Sequence, residues 1–318
     1  GTVGAVHYLY NGKMLVLHKR VQLMTGLLVV LFSVACVLPT PMPASLPTSR
    51  SLPTSTPLPT ATPPVPTLIP EPTQTSVPTL IPTLASTPSH PTAWQGTVDA
   101  LAALQSAQEV PDHFLTADPV RTGEEFDVNE YFSILSHLSM EPRYVLDYVY
   151  CYEFMGGFPV LYARPENQSR YATYSEFIDA EGDSAYYDFL NHVRVDGSEE
   201  GFFQFALLHV IGDQFYLIWH ANYNDWRVVC DHEALEDILT IPDDFGQPFT
   251  EEQKEAALAI DLSPVVEIGG DTVHVRIVMF TKWGGFIQLS YAINRDFPHA
   301  IQSIDSDVLV EYDCGVMF

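Results

Sequence analysis

The sequence predicts an α+β fold, mainly antiparallel sheet with meanders and several short helices, preceded by a signal or anchor segment and a disordered Pro/Thr-rich stalk. Three observations predict it. Composition changes near Trp94, where a Pro and Thr run gives way to a chain rich in Asp, Glu, Tyr and Phe. Beyond that point residues alternate with period two in runs such as "YVLDYVYCYEF" (144–154) and "TVHVRIVMF" (272–280). The links between such runs are too short for parallel crossovers, so the strands are antiparallel.

The first element is N-terminal. Met14 reads as the start of "MLVLHKRVQLMTGLLVVLFSVAC" (14–36). His18, Lys19 and Arg20 form a short basic region, an apolar run follows, and small residues Ser33 and Ala35 stand three and one before Cys36. This is the layout of a secretory signal over residues 1–36. It also resembles a bacterial lipoprotein signal, which implies lipidation of Cys36 as the first mature residue. Ser33 stands where that family usually carries Leu or another aliphatic residue. A third reading is an uncleaved anchor over Val21–Leu38, at the short limit of the roughly 17–25 residues a span needs. All three readings leave Lys19 and Arg20 inside and the rest exported, at the cell surface or in the periplasm and held to the membrane.

Residues 37–95 read as the stalk. Sixteen of the chain's 25 Pro lie there, and Pro removes the amide donors that a helix or ladder requires. The segment is expected to be extended, with a reach of about 180 Å.

Residues 96–318 read as one acidic globular domain, or as two halves, 96–245 and 246–318. Its elements follow in order. "TVDALAALQSAQEV" (97–110) is a helix. "DVNEYFSILSHL" (127–138) opens with Asp127 and Glu130 at capping-box spacing, so it is helical. "YVLDYVYCYEF" and "FPVLYAR" (158–164) are strands, and "DSAYYDFLNHV" (183–193) is a helix. "EGFFQFALLHVIGDQFYLIWHANYNDWRVVCD" (200–231) reads as a three-stranded meander. "HEALEDIL" (232–239) and "TEEQKEAALAI" (250–260) are short helices, the second with Thr250 and Gln253 at capping-box spacing. The remainder forms hairpins. "FYLIWHANYNDW" (215–226) and "FIQLSYAINRDF" (286–297) echo each other weakly, as two repeated halves would, or as two unrelated hairpins would. The helix-then-sheet order resembles cone-shaped folds of the nuclear-transport-factor-2-like type, and no functional residue is carried over from it.

The meander fixes which side chains meet. A two-residue turn at Gly212-Asp213 pairs His209 with Tyr216, Leu207 with Ile218 and Phe205 with His220. A second turn over Tyr223-Asn224 pairs Tyr216 with Asp231. One face then carries the row His209/Tyr216/Asp231, in which an imidazole, a phenol and a carboxylate could move a proton or orient a ligand. The same row closes a core if its groups satisfy one another. Tyr148, Tyr150 and Tyr152 share a strand face and, with Trp283, are binding candidates; core packing is the alternative. No metal site is predicted. His209 and His220 stand four residues apart along the strands, roughly 13 Å, "HEALE" has Glu236 where a second His is needed, and "DAEGDS" (179–184) has Ser184 where a calcium loop needs Gly and is followed by Leu190 where it needs a bidentate Glu.

Of the 14 Lys and Arg, four lie before residue 96; of the 40 Asp and Glu, only Glu71 does. The domain therefore holds 10 basic against 39 acidic residues, a formal −29. Such a surface excludes nucleic acid as a partner and suits a basic protein, a cation or a glycan. Cys151, Cys230 and Cys314 allow one disulfide and one thiol in an oxidising compartment, while Cys151 and Cys230, both in strand-like runs, also read as small buried hydrophobes. No G-x-S-x-G, P-loop, C-x-x-C or G-x-G-x-x-G occurs, so no cofactor is predicted. Two functions remain: a membrane-tethered extracytoplasmic binding module, and an extracytoplasmic hydrolase acting on a cationic or glycan substrate.

Overall fold

The computed structural model describes residues 91–153, 156–182, 185–219, 226–240 and 246–315. The signal or anchor with Cys36, and nearly all of the stalk, lie outside the described residues. The α+β class and antiparallel pairing hold within them, but the strands form three sheets, not the single curved sheet of the cone-shaped folds.

Helix α1 spans Pro91–Ser106, starting six residues before the Thr97 that the sequence predicts. Pro suits the first turn of a helix, where an amide would have no partner. Trp94, Val98 and Leu101 then recur on one face and are buried. Asp127 accepts a hydrogen bond from Asn129 N at 3.0 Å, yet the predicted helix is cut to a 3-10 turn, Val128–Glu130, and one α-turn, Tyr131–Ile134. The Asn129 side chain bonds both the N–H and the C=O of Leu146 instead. This docks the turn on the strand that begins at Tyr144.

Strand β1 (Leu138–Met140) pairs with β4 (Val193–Val195). Strands β2 (Tyr144–Glu153) and β3 (Gly156–Pro165) pair antiparallel along their whole length. Both faces of β2 are covered. Leu146, Tyr148 and Tyr150 enter the main core. Val149 and Cys151 pack with Phe177 of helix α2 (Tyr174–Glu181) and with Ala185. The segment predicted as a helix from Asp183 is a 3-10 helix over Ala185–His192.

The predicted meander is overturned. Glu199–Ile211 is helix α3, capped by Ser198, whose hydroxyl accepts from Gly201 N at 3.0 Å. Every residue from Gly201 to Ile211 is buried. A helix enclosed on all sides has no polar face and so no period of 3.6, and a short apolar run of that kind looks like a buried strand. Gly212 has φ −63°, not the positive φ of the predicted hairpin turn. Strand β5 (Ile218–Trp219) pairs with Gly157 and Gly156. Strand β6 (Arg227–Val229) pairs with Phe280–Val278. The predicted pairings of His209 with Tyr216 and of Leu207 with Ile218 therefore do not form, and Phe205 is helical. His220 and the side chain of Trp219 lie outside the described residues, as does part of the 215–226 echo.

The largest sheet runs β10 (Ile301–Val310), β9 (Gly285–Asn294), β8 (Thr272–Thr281), β6, with β7 (Val265–Ile268) sharing the free edge of β8. Strands from either side of residue 246 thus join one sheet. Its inner face, including Val275, Ile277, Leu289 and Tyr291, shares one core with α3. On the other face Val278, Phe280 and Phe286 pack with Leu235 and Ile238 of helix α4 (His232–Leu239) and Ala257 of helix α5 (Glu251–Leu258). Both outer helices are capped, the second by the predicted capping box. Asp231 accepts from Ala234 N at 3.0 Å, and Thr250 and Gln253 bond reciprocally at 2.9 and 3.2 Å.

Helix α3 is the hub. Phe203 meets Trp94 of α1 at 4.5 Å between ring centroids, His209 meets Tyr291 of β9, and Gln204 accepts from His137 N beside β1 at 3.0 Å. Its C-terminal carbonyls, which no intrahelical donor reaches, are taken by side chains. Gln105 Nε2 donates to Ile211 O, and Tyr131 OH donates to Gly212 O at 2.8 Å.

Candidate functional site

The residues of the predicted row stand on separate elements with separate partners. His209, in the middle of the core, bonds Tyr291 OH at 3.1 Å and lies 4.7 Å from the Tyr187 ring. Burial holds its imidazole down at about 4. Tyr216, at φ +53°, accepts from Phe126 N through its hydroxyl at 3.1 Å, and its carbonyl accepts from Tyr150 OH at 2.6 Å. Asp231 caps α4. Of the binding candidates, Tyr148 and Tyr150 are fully buried, with Tyr150 stacked on Phe114 at 4.3 Å. Tyr152 and Trp283 are half-buried.

Another constellation imitates a catalytic triad. His137 Nδ1 lies 2.7 Å from Asp196 Oδ2, and Ser198 Oγ lies 3.3 Å from the same nitrogen. A triad needs the hydroxyl and the carboxylate on opposite ring nitrogens. Here both meet Nδ1, and Ser198 Oγ donates to Asp196 Oδ1 at 2.6 Å while capping α3. The group is a helix cap. Burial would raise the Asp196 carboxyl, but hydrogen bonds from the Ser198 hydroxyl and backbone N–H and from His137 hold it below its usual range. Among the described residues no three His, Cys, Asp or Glu converge as metal ligands.

A groove of about 560 Å³ lies between α1, α4 and the segments 211–217 and 226–228. That volume is within the roughly 300–1,000 Å³ of small-molecule sites. Gln95, Gln105, Gln108 and Gln214 line it, with Phe215, Tyr216 and Trp226 among the apolar walls. The amides also tie the walls together. Gln95 Oε1 accepts from Cys230 N at 2.8 Å and Gln95 Nε2 donates to Asp99 Oδ1 at 2.8 Å. Gln214 Oε1 accepts from Trp226 N at 3.0 Å. Gln105 is buried and its Nε2 reaches Tyr131 OH at 3.0 Å. Among the described residues no group donates to Gln105 Oε1. Two carboxylates, Asp99 and Asp237, line the groove.

Sequence reasoning missed these residues because their importance is tertiary. One signal was present: Gln105 follows Trp94, Val98 and Leu101 in the apolar stripe of α1, a position where a polar side chain must find partners. Comparison with protein-family models, curated proteins and solved structures gave no match to this chain.

Proposed function

We propose that the domain is an extracytoplasmic binding module, tethered to the membrane by its N-terminal segment through the Pro/Thr stalk, and that the groove between α1 and α4 takes a neutral, hydroxyl-rich ligand of the glycan class. The groove's lining carries the reading. Fixed amides hydrogen-bond hydroxyls in either direction, and aromatic walls supply the apolar face that a sugar ring covers. Neutral ligands also escape the repulsion that the domain's formal charge imposes on anions. Ala103→Trp, which fills the groove from an exposed position of α1, is expected to abolish glycan retention in an oligosaccharide array without lowering the melting temperature. Retention by that variant would sink the reading.

A second reading has one observation behind it. Glycoside hydrolysis needs two carboxylates flanking the scissile bond, and Asp99 and Asp237 both line the groove. Release of chromophore from an aryl glycoside panel, lost in Asp237→Asn, would favour it over binding alone.

The tether rests on the N-terminal sequence. The full chain is expected in the membrane fraction and released by detergent. Intact mass separates an acylated Cys36 from a plain cut at Cys36 and from an uncleaved anchor that keeps Met14.

A further inference from the structure

The domain has few cations, and they are not spread evenly. Three of its ten basic residues, Arg121, Arg164 and Arg170, line one pocket of about 220 Å³ beside the start of β2. The groove does not share them.

Two of the three are fixed by carboxylates. Arg121 is 7% exposed; its Nη1 donates to Asp147 Oδ1 and, at 2.6 Å, to Tyr148 O. Its guanidinium lies 3.5 Å over the Tyr148 ring. Arg164 Nε donates to Asp147 Oδ2 at 2.7 Å and its Nη1 to Gln168 O at 2.8 Å. Asp147 thus has both oxygens engaged. Glu125 is engaged as well. It accepts from Thr122 N and Gly123 N, each at 2.7 Å, and meets His113 Nε2 at 2.9 Å. Burial would raise its carboxyl, but the hydrogen bonds from Thr122, Gly123 and its own backbone outweigh it and hold it at about 2.

What the carboxylates leave over is donors. Arg121 Nε is buried with no hydrogen bond, reaching Glu125 Oε2 only at 3.7 Å. The Nη2 groups of Arg121 and Arg164 have no acceptor among the described residues. Arg170 is exposed, and among the described residues its guanidinium has neither hydrogen bond nor ion pair. Its Nη1 lies 2.8 Å from where a Cβ on Gly123 would stand, so the guanidinium passes close over the backbone there. Gly123 has φ +91°, a backbone conformation that favours glycine.

We propose that this pocket binds a small oxyanion, the carboxylate, phosphate or sulfate group of a ligand, through the unengaged edges of the three guanidinium groups. Planar guanidinium donors match oxyanions in pairs. The volume suits one such group more than a whole drug-sized ligand. Asp127 also lines the pocket, and its carboxylate accepts from Asn129 through Oδ1, so the pocket is neutral overall and the anion is held by directed hydrogen bonds rather than by net charge.

The test is calorimetric titration of the full chain with inorganic phosphate, sulfate or acetate, at fixed ionic strength with chloride as blank. Saturable binding of at least one is expected, and comparison of the three separates a tetrahedral from a planar oxyanion. Arg170→Ala is expected to weaken it about tenfold, the size of one charge-assisted hydrogen bond. Arg276→Ala, at a half-buried arginine on β8 that faces Asp261 at 3.6 Å, is expected to leave it unchanged. Absence of saturable binding with all three anions, or equal weakening in the two variants, would overturn the proposal. Arg170 makes no contact that the fold depends on, so its loss reads binding rather than folding.

Discussion

Helices α3 and α4 are both opened by a side-chain cap, and they carry opposite sequence signals. In α4 the buried Leu235 and Ile238 sit three residues apart, with exposed Glu233, Glu236 and Asp237 between and around them. The helix covers one sheet face and turns the other side to water, so burial writes a period into the sequence. In α3, Gly201 through Ile211 are all buried. The helix is enclosed by α1, the large sheet and the 3-10 segment that carries Tyr187. The lesson is that amphipathic pattern records the asymmetry of a helix's surroundings, not its helicity. Where surroundings are apolar on every side, the cap is the signal that remains: Ser198 followed by Glu199 and Glu200.

That contrast can be broken experimentally, and the largest effect belongs to the enclosed helix. Phe203→Ala removes a ring packed on Trp94 and is expected to cost roughly 3–5 kcal/mol in urea denaturation. A cost below about 1 kcal/mol would mean that α3 is not the hub.

The next effect is electrostatic and also specific to α3. His209 titrates at about 4 in the fold against about 6.5 unfolded. Between those values the unfolded chain binds a proton that the folded chain refuses, so stability falls as pH drops from about 6.5 to about 4, by on the order of 3 kcal/mol. Asp213, just past α3, acts in the opposite sense. Burial raises its carboxyl to about 6, so the folded chain is protonated first and stability rises as pH drops from about 6 to about 4. The two offset each other in the wild type. Asp213→Asn is therefore expected to steepen the acid loss and His209→Gln to reverse its sign, read from denaturation midpoints across pH 4–7. Parallel curves for all three proteins would remove both groups from the account.

Smaller effects sharpen the comparison. Ser198→Ala and Asp231→Ala each delete one cap bond and are expected to cost about 0.5–2 kcal/mol. Ser198 is expected at the upper end, because its helix is central. Glu236→Ala, on the exposed face of α4, is expected to change stability by less than about 0.5 kcal/mol.

The same physics explains what was legible at the two sites. The caps at Asp231 and Thr250 are local, three or fewer residues long, and could be read directly. The groove could not, because Gln95, Gln105 and Gln214 matter only once α1 lies across Cys230, Ile211 and Trp226. The row His209/Tyr216/Asp231 depended on a strand register, and a register has no meaning once its first member is helical.

By itself the sequence determined the class, the antiparallel hairpins β2–β3 and β8–β9, the outer helices and their caps. Each rests on alternation or on hydrogen bonds within a few residues, where the chain's own chemistry decides. Only the tertiary structure decided that 199–211 is a helix, that β6 joins β8 from across the chain, and that Arg121 and Arg164 share Asp147. Those outcomes depend on partners distant in sequence, whose burial selects among conformations that the local pattern leaves equal in merit.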